Sequence, residues 1–535
     1  MGGVSTDPAP PGVPADGPDL GAVDALARDL AAARFTVSAI EALWERGARS
    51  DATHPGSALR RGHRVPALRA LEHAGPDEQG LATLVRCFVL GMPVASDALA
   101  SALPALDLGG AERLGLVAVD GEVASPRVDL RPYAFADASG EGEWWIASDL
   151  GELATGGALP EEYVLGVGGA SLTLSGLLLP QHVEATLDLG TGCGIQAMHA
   201  ARFSDRVVAT DVSERALRFA RLNLALNGIE RVELRLGSLF EPVSGEHFDR
   251  IVSNPPFVIT PRRDGVPVYE YRDGGMVGDG LVEAVLRGTA QHLRPGGVAQ
   301  LLGNWEYRRT ADGLADGLER VTGWLAEAGL EYWVVERERQ DPGEYAETWI
   351  RDGGTRPGTP EFEAMYSAWL DDFAARGVES VGFGYLLLRR PAVNATPRLA
   401  RAERLHGSLG EGSGGLASHL AECLGALDRI SGLDDVGLRA VRIAVAPDVT
   451  EERHHWPGAE QPAVILLHQG GGFARTVDAG TGLAALVGAA DGELPVGVLS
   501  DAIAQLLEVD PTELWEELGP AVRELVAGGL LRPVG

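Results

Sequence analysis

The chain has 535 residues, 45% hydrophobic and 23% charged, with 45 Lys and Arg against 76 Asp and Glu for a formal net charge of −31. That length builds several domains with full cores, and the balance is that of a globular chain rather than a disordered one. The acidic excess argues against a broad nucleic-acid-binding surface, though it leaves room for a local basic groove.

All 45 fixed positive charges are Arg, which reads as bacterial coding bias and carries no function. Cys87, Cys193 and Cys423 lie too far apart for a disulfide framework or a zinc knuckle, which fits a reducing cytoplasm. Residues 1–19, rich in Pro, Ala and Gly, read as a disordered tail without the layout of a signal peptide.

The runs "DALARDLAAARF" and "GLATLVRCFVLG" have helical periodicity. "RLGLVAVDG" and "SPRVDLRPYAF" read as strands joined near Asp120-Gly121, a hairpin dipeptide. Together they predict a helical N-terminal domain over 20–150 with a winged-helix-like part at about 75–135. "EGEWWIASDL" is expected to dock this domain onto the next one. The apolar stretch "YVLGVGGASLTLSGLLLP" is short and rich in Gly, Ser and Thr, and reads as buried rather than membrane-spanning.

From about 160 to 390 strand-like and helix-like runs alternate, which predicts an α/β domain over 151–390 built on a doubly wound, mainly parallel sheet. An insertion at 341–377 carries Tyr345, Trp349, Phe362, Tyr366, Trp369 and Phe373, whose helical spacing reads as core. Residues 391–410, with Arg398, Arg401 and Arg404, read as a linker. Residues 411–535 read as an α+β domain that closes on a second winged-helix-like unit.

The strongest local pattern is Asp188-Leu189-Gly190-Thr191-Gly192-Cys193-Gly194, between a strand and a helix. Glycines there admit positive φ and let a ligand lie against the turn. The spacing is G-x-G-x-G, not the G-x-G-x-x-G of a dinucleotide fold. The next strand ends in Asp211, whose two carboxylate oxygens can accept from both hydroxyls of an adenosine ribose; dinucleotide folds place an acid there too. The third strand ends in Gly237-Ser238, where an adenine edge would lie. The fourth ends in Ser253-Asn254-Pro255-Pro256-Phe257, a rigid polar turn followed by an aromatic ring.

"DLGTGCG", "ATDVSERALRFARLNLALNG" and "SNPPF" together resemble the motifs of class I S-adenosylmethionine-dependent methyltransferases. The subgroup methylates planar nitrogens and includes release-factor glutamine, ribosomal-RNA guanine-N2 and adenine-N6 enzymes. The resemblance spans about 160–305 closely and extends toward 390; the flanking domains match no family by their motifs. It implies a Rossmann-like core of seven strands and S-adenosyl-L-methionine as cofactor. Cofactor contacts are then expected from Asp188, Gly190, Thr191, Gly192, Gly194, Asp211, Val212, Gly237, Ser238 and Asn254, with Thr173 from the segment before the first strand. The catalytic set is expected to be Asn254, Pro255, Pro256 and Phe257. Asn254 and the Pro255 carbonyl would accept the two N–H groups of the acceptor nitrogen, Pro256 would stiffen the turn, and Phe257 would stack on the planar group.

Arg262 and Arg263, directly after this motif, read equally as a phosphate contact or a solvated pair. His454-His455 sits without a Cys/His set, and no metal is expected. Cys193 has no paired base and reads as packing. The expected acceptor is a macromolecule, foremost a nucleobase in RNA; a protein glutamine or a small molecule are the alternatives. Membrane attachment is not expected, and the motifs carry no oligomeric state.

Overall fold

The computed structural model describes residues 17–51, 53–157, 159–263, 266–311, 313–393, 398–411 and 415–534. Most of the tail expected at 1–19 lies outside these residues.

The centre is one twisted sheet. Its main strands in chain order are β1 (Val183–Leu189), β2 (Ser204–Asp211), β3 (Val232–Leu236), β4 (Phe248–Ser253), β5 (Leu293–Thr310), β6 (Glu331–Gln340), β7 (Val378–Arg389) and β8 (Ala400–Arg404); a short ninth, Gly313–Ala315, pairs with β5 alone, so the sheet exceeds the seven strands expected. They lie in the order β8-β6-β7-β5-β4-β1-β2-β3. β1 to β5 run parallel, while β7 is antiparallel to both β5 and β6. β1 and β4 are almost continuously buried, as strands covered on both faces must be.

The helices of this domain are α1 (Gly169–Leu177), α2 (Ile195–Ala201), α3 (Glu214–Leu226), α4 (Gly280–His292), α5 (Gly317–Glu327), α6 (Pro342–Asp352) and α7 (Pro360–Arg376). The stretch read as buried rather than membrane-spanning contains α1. Among the described residues no helix is long and apolar enough to cross a membrane.

The linker expected at 391–410 is corrected by the sheet, for β8 pairs parallel with β6 over Tyr332–Glu336. The alternation "ARAER" has the two-residue period of a strand, hidden by its charge. Glu403 is half of the reason the strand can sit there: Trp333 Nε1 donates to it at 2.6 Å and Arg475 Nη2 at 2.8 Å. Burial would raise this carboxyl, but Arg475 and Arg401 outweigh it and hold the group at about 2.

In the N-terminal region, strands at Val94–Ala95, Val123–Pro126 and Val117–Asp120 form a small sheet in that order, with helices at Ser96–Ala102 and Asp107–Arg113. The part expected to be winged-helix-like falls on these elements. The expected second strand divides: 123–126 belongs to this sheet, whereas Asp129–Asp137 pairs with Gly140–Ser148 in a separate hairpin.

That second hairpin docks on α3 through two asparagines one turn apart. Asn223 accepts from Ala147 N at 2.7 Å and donates to Ala147 O at 2.9 Å. Asn227 does the same for Trp145, at 2.9 and 2.8 Å. Two side-chain amides thus satisfy a strand edge that has no neighbouring strand. Phe219, Leu222 and Met198 share one core with Leu30, Phe35 and Trp44 of the N-terminal helices, which fixes the two parts against each other.

After the helix Gly415–Ile430, strands Asp491–Pro495, Arg442–Val445 and Leu531–Val534 form a sheet in that order, packed with helices Thr481–Ala489, Val496–Leu507 and Pro511–Ala527. The middle strand comes from before the helices rather than after them. A second sheet joins Val449–His454, Val464–Gln469 and Thr476–Asp478.

Candidate active site

A cavity of 280 Å³ opens beyond the carboxyl ends of β1, β2 and β4, where open α/β sheets hold their ligands. Gly190, Thr191, Gly192, Asp211, Val212, Gly237, Ser238, Asn254, Pro255 and Pro256 all line it. Separate chain segments therefore converge on one space.

The first turn is built for close approach. Gly190 and Gly192 have φ of +75° and +57°, and nothing stands within 4 Å of where a Cβ would project. A side chain there would be strained and would fill the space a ligand needs. Gly192 N donates to Asp211 Oδ2 at 2.8 Å, and Ser213 N to Asp211 Oδ1 at 2.9 Å. The acid at the end of β2 thereby holds the turn after β1. Burial pushes its carboxyl above the usual range, against those backbone donors. Each oxygen keeps a second lone pair free for a hydroxyl.

Three expected contacts lie elsewhere. Asp188 is fully buried beneath the turn, its Oδ2 accepting from Thr191 Oγ1 at 2.5 Å. Gly194 packs a helix rather than a ligand, since a Cβ on it would meet Ala220 at 3.2 Å. Thr173 sits half-buried on α1 away from the cavity wall, while Ser171 and Gln196 form the wall on that side. Cys193 is buried at the turn, its thiol pushed up to about 11 by burial.

The turn after β4 differs from the expectation in two ways. Phe257 N donates to Pro255 O at 2.7 Å, so the Pro255 carbonyl is already half-used by a γ-turn. Phe257 is buried, its ring centroid 5.5 Å from Phe383 and 6.5 Å from Trp349, and it does not line the cavity. The insertion aromatics explain this. Tyr345 Oη accepts from Ile259 N at 3.1 Å and from Asn304 Nδ2 at 2.6 Å, and Trp369 and Phe373 pack around it. α6 and α7 form a core that clamps the turn from behind and draws Phe257 into it.

Asn254 remains at the wall. Its Oδ1 is buried and accepts no hydrogen bond. A buried acceptor without a donor costs stability and persists only where something else requires it. Asp188 Oδ1 and Gln196 Oε1 are in the same condition. Of these only Asn254 and Gln196 line the cavity. Gln196 Oε1, the Asp211 carboxylate and the open glycine turn fit a ligand that brings ammonium and hydroxyl donors, and Asn254 Oδ1 is left for a second ligand. S-adenosyl-L-methionine, with its ammonium, sulfonium and ribose hydroxyls, is a ligand of the first kind.

Neither arginine after the motif is free for a phosphate at the site. Arg262 is paired with Asp273, and its Nη2 donates to Met276 O at 2.8 Å; Arg263 meets Asp371 at 3.3 Å on the surface. Tyr163, Glu270, Tyr271 and Asp273 complete the wall. The motif reading missed them because they lie outside the strand ends. For Glu270, Tyr271 and Asp273 the signal is the polar run "YEYRDGG", which comes after the fourth-strand motif without any apolar period.

Residues 168–324 match the family model described as the methyltransferase small domain, and residues 32–128 match one described as a domain of unknown function (DUF7059). The chain is 38% identical over 128 residues to the ribosomal protein uL3 glutamine methyltransferase of Bradyrhizobium diazoefficiens, covering 22% of this chain and 40% of that protein. It is 37% identical over 127 residues to the release factor glutamine methyltransferase of Xylella fastidiosa, covering 22% and 46%. It is 34% identical over 138 residues to the ribosomal RNA small subunit methyltransferase C of Escherichia coli, covering 25% and 35%. The chain spans less than half the length of each of these relatives. With the strand order and the glycine turn already in place, residues 168–324 are a methyltransferase small domain of the class I S-adenosylmethionine-dependent kind.

Proposed function

We propose that this chain transfers a methyl group from S-adenosyl-L-methionine to a planar, exocyclic nitrogen of a nucleobase in RNA, in the cytoplasm. The observation that carries the reading is the unsatisfied Asn254 Oδ1 at the wall of the cavity. The cofactor supplies an electrophilic methyl on a sulfonium. An amino nitrogen conjugated to a ring is a poor nucleophile, because its lone pair is delocalised. Asn254 Oδ1 and the remaining lone pair of the Pro255 carbonyl accept its two N–H groups. That pair of bonds turns the nitrogen lone pair out of conjugation and aims it along one line. No strong base is required first, since the nitrogen's proton becomes acidic once the new N–C bond forms and leaves to water.

RNA is favoured by a local exception to the acidic surface. Arg60, Arg61 and His63 are exposed around Gly62, and none of the three forms an ion pair among the described residues. The next residue, Arg64, donates to Leu153 O, anchoring the segment to the helix Glu152–Thr155 that precedes the cavity residues Tyr163 and Leu165. Two exposed arginines without an ion pair, on a segment tied to the chain that leads into the cavity wall, suit a phosphate backbone. Protein glutamine is the second reading, favoured by the names of two relatives.

The test is transfer of labelled methyl from the cofactor to RNA and to protein extracted from a strain lacking the gene. Label is expected in RNA, and Arg60→Glu with Arg61→Glu should weaken RNA binding by about tenfold at low salt, less at high salt. Label confined to protein overturns the RNA assignment.

A second expectation concerns pH. Burial raises the carboxyl of Asp188, which lies beneath the glycine turn, to about 7. Binding a cationic ligand nearby favours the ionised form, so binding should expel a proton below pH 7. Cofactor affinity is then expected to rise by about tenfold between pH 6 and 8. Asp188→Asn should flatten that dependence. In the protein alone the sign is opposite. A raised carboxyl lends stability that is lost as pH rises from the unfolded value through about 7. Titration calorimetry in buffers of different ionisation enthalpy reads the proton directly, and a pH-independent affinity would remove Asp188 from the account.

A further inference from the structure

A carboxylate that the reaction above does not use stands in the same wall. Asp273 lines the cavity with Asn254, and its side chain is buried. Its Oδ1 is committed, accepting from Arg262 and from Gly275 N at 2.9 Å. Its Oδ2 is buried and accepts nothing. The pairing with Arg262 makes a buried carboxylate tolerable, and leaves the second oxygen as an acceptor without a donor.

Asp273 and the Asn-Pro-Pro turn are joined by backbone. Phe257 forms an isolated antiparallel bridge with Asp273, and Val258 N donates to Arg272 O at 2.7 Å. Gly274 is packed so closely that a Cβ would fall 2.2 Å from Leu281. The two unsatisfied acceptors, Asn254 Oδ1 and Asp273 Oδ2, are therefore held on neighbouring, tied segments.

Planar amino groups differ in what lies beside them. Next to the amide nitrogen of glutamine is a carbonyl oxygen. Next to the amine of adenine or cytosine is a ring nitrogen lone pair. Guanine alone carries a ring N–H, at N1, beside its exocyclic N2 amine. A carboxylate oxygen only accepts, so it repels the first three and takes a charge-assisted hydrogen bond from the fourth.

Resting on the planar-nitrogen reading of the site, we propose that Asp273 is a specificity residue: its Oδ2 accepts the N1–H of a guanine while Asn254 Oδ1 accepts from the N2 amine, so the methyl acceptor is guanine N2 in RNA. Of the other polar side chains of that segment, Tyr271 donates to Asp352 Oδ2 at 2.6 Å and Arg272 to Trp349 O at 2.6 Å, while Glu270 is exposed, with its charge acting on Asp211.

The test uses the full chain, labelled S-adenosyl-L-methionine, and RNA from a strain lacking the gene, with the labelled nucleoside identified by mass spectrometry. N2-methylguanosine is expected. Guanosine and 2-aminopurine riboside are then compared as competing ligands; the second keeps the amine but has a lone pair at N1. The wild type should favour guanosine by about tenfold or more, the worth of a hydrogen bond to a charged group. In Asp273→Asn the amide can offer an N–H to that lone pair, so the preference should collapse while cofactor affinity holds. A role in folding alone would weaken both ligands alike. Label at adenine, cytosine or a protein glutamine overturns the guanine assignment and leaves the methyltransferase reading standing. Absence of label in RNA and protein alike defeats that underlying reading. Label at guanine N2 with no preference for guanosine in the wild type, or with the preference unchanged in Asp273→Asn, removes Asp273 from the recognition. The wild-type comparison decides the matter even where the variant does not fold.

Discussion

Asn254→Ala should lower methyl transfer by about 100-fold or more at saturating cofactor, the scale of removing one hydrogen-bond partner that acts in the transition state. Cofactor affinity should hold, since the Asn254 side chain makes no hydrogen bond to the glycine turn or to Asp211. Stability should hold too, or rise by up to about 1 kcal/mol, because the substitution deletes a buried acceptor that has no donor. That combination separates a working residue from a structural one: a structural asparagine, once removed, costs stability first. Single-turnover transfer and a melting curve on one preparation decide it. Wild-type turnover in Asn254→Ala would exclude a planar nitrogen and point to an oxygen or carbon acceptor.

Phe257 illustrates where motif reading stops. The sequence places an aromatic ring directly after the two prolines, and a stacking platform is the natural inference. In the fold the ring turns the other way, toward Phe383 and Trp349, because α6 and α7 supply an aromatic core behind the turn. Adjacent positions in a turn have no fixed facing, so no periodicity could have decided between the two. The strand ends were legible for the opposite reason. The parallel alternation leaves few topologies, and a parallel sheet puts Asp188, Asp211, Gly237 and Asn254 at the same end of neighbouring strands.

Gly194 and Thr173 failed by proximity in sequence. Gly194 continues the G-x-G-x-G spacing, yet its lack of a side chain serves the approach of Ala220 on α3. Thr173 is two residues from Ser171, which does line the cavity, but two residues on a helix is more than half a turn. β8 was hidden because charge outweighed period in the reading of "ARAER"; its partners, Trp333 and Arg475, lie about 70 residues away on either side in the chain. Asp273 carried no strand-end signature; the polar run "YEYRDGG" contains it, and its unpaired oxygen in the folded chain singles it out.

Asp211→Ala should weaken S-adenosyl-L-methionine by about 1–3 kcal/mol, and toward the upper end of that range. Two losses combine. One is the acceptor that the ribose hydroxyls would use, in a partly desolvated place. The other is internal: Gly192 N and Ser213 N both donate to this carboxylate, at 2.8 and 2.9 Å, so its removal frees the glycine turn as well. Asp211→Asn should not rescue. An amide offers one oxygen, and its NH₂ would face one of two backbone donors. If the ribose contact alone mattered, Asn would recover part of the affinity; if the turn matters, Asn should bind no better than Ala. The fold should survive both changes, because Asp211 is the last residue of β2 and its backbone ladder to β3 remains, with Asp211 still opposite Leu236. Calorimetric titration of the two variants against the wild type, with far-ultraviolet circular dichroism to show the fold intact, gives the answer. An unchanged dissociation constant in Asp211→Ala would show that neither the carboxylate nor the turn it holds touches the cofactor. The assignment of the cavity between β1 and β2 would then fall with it.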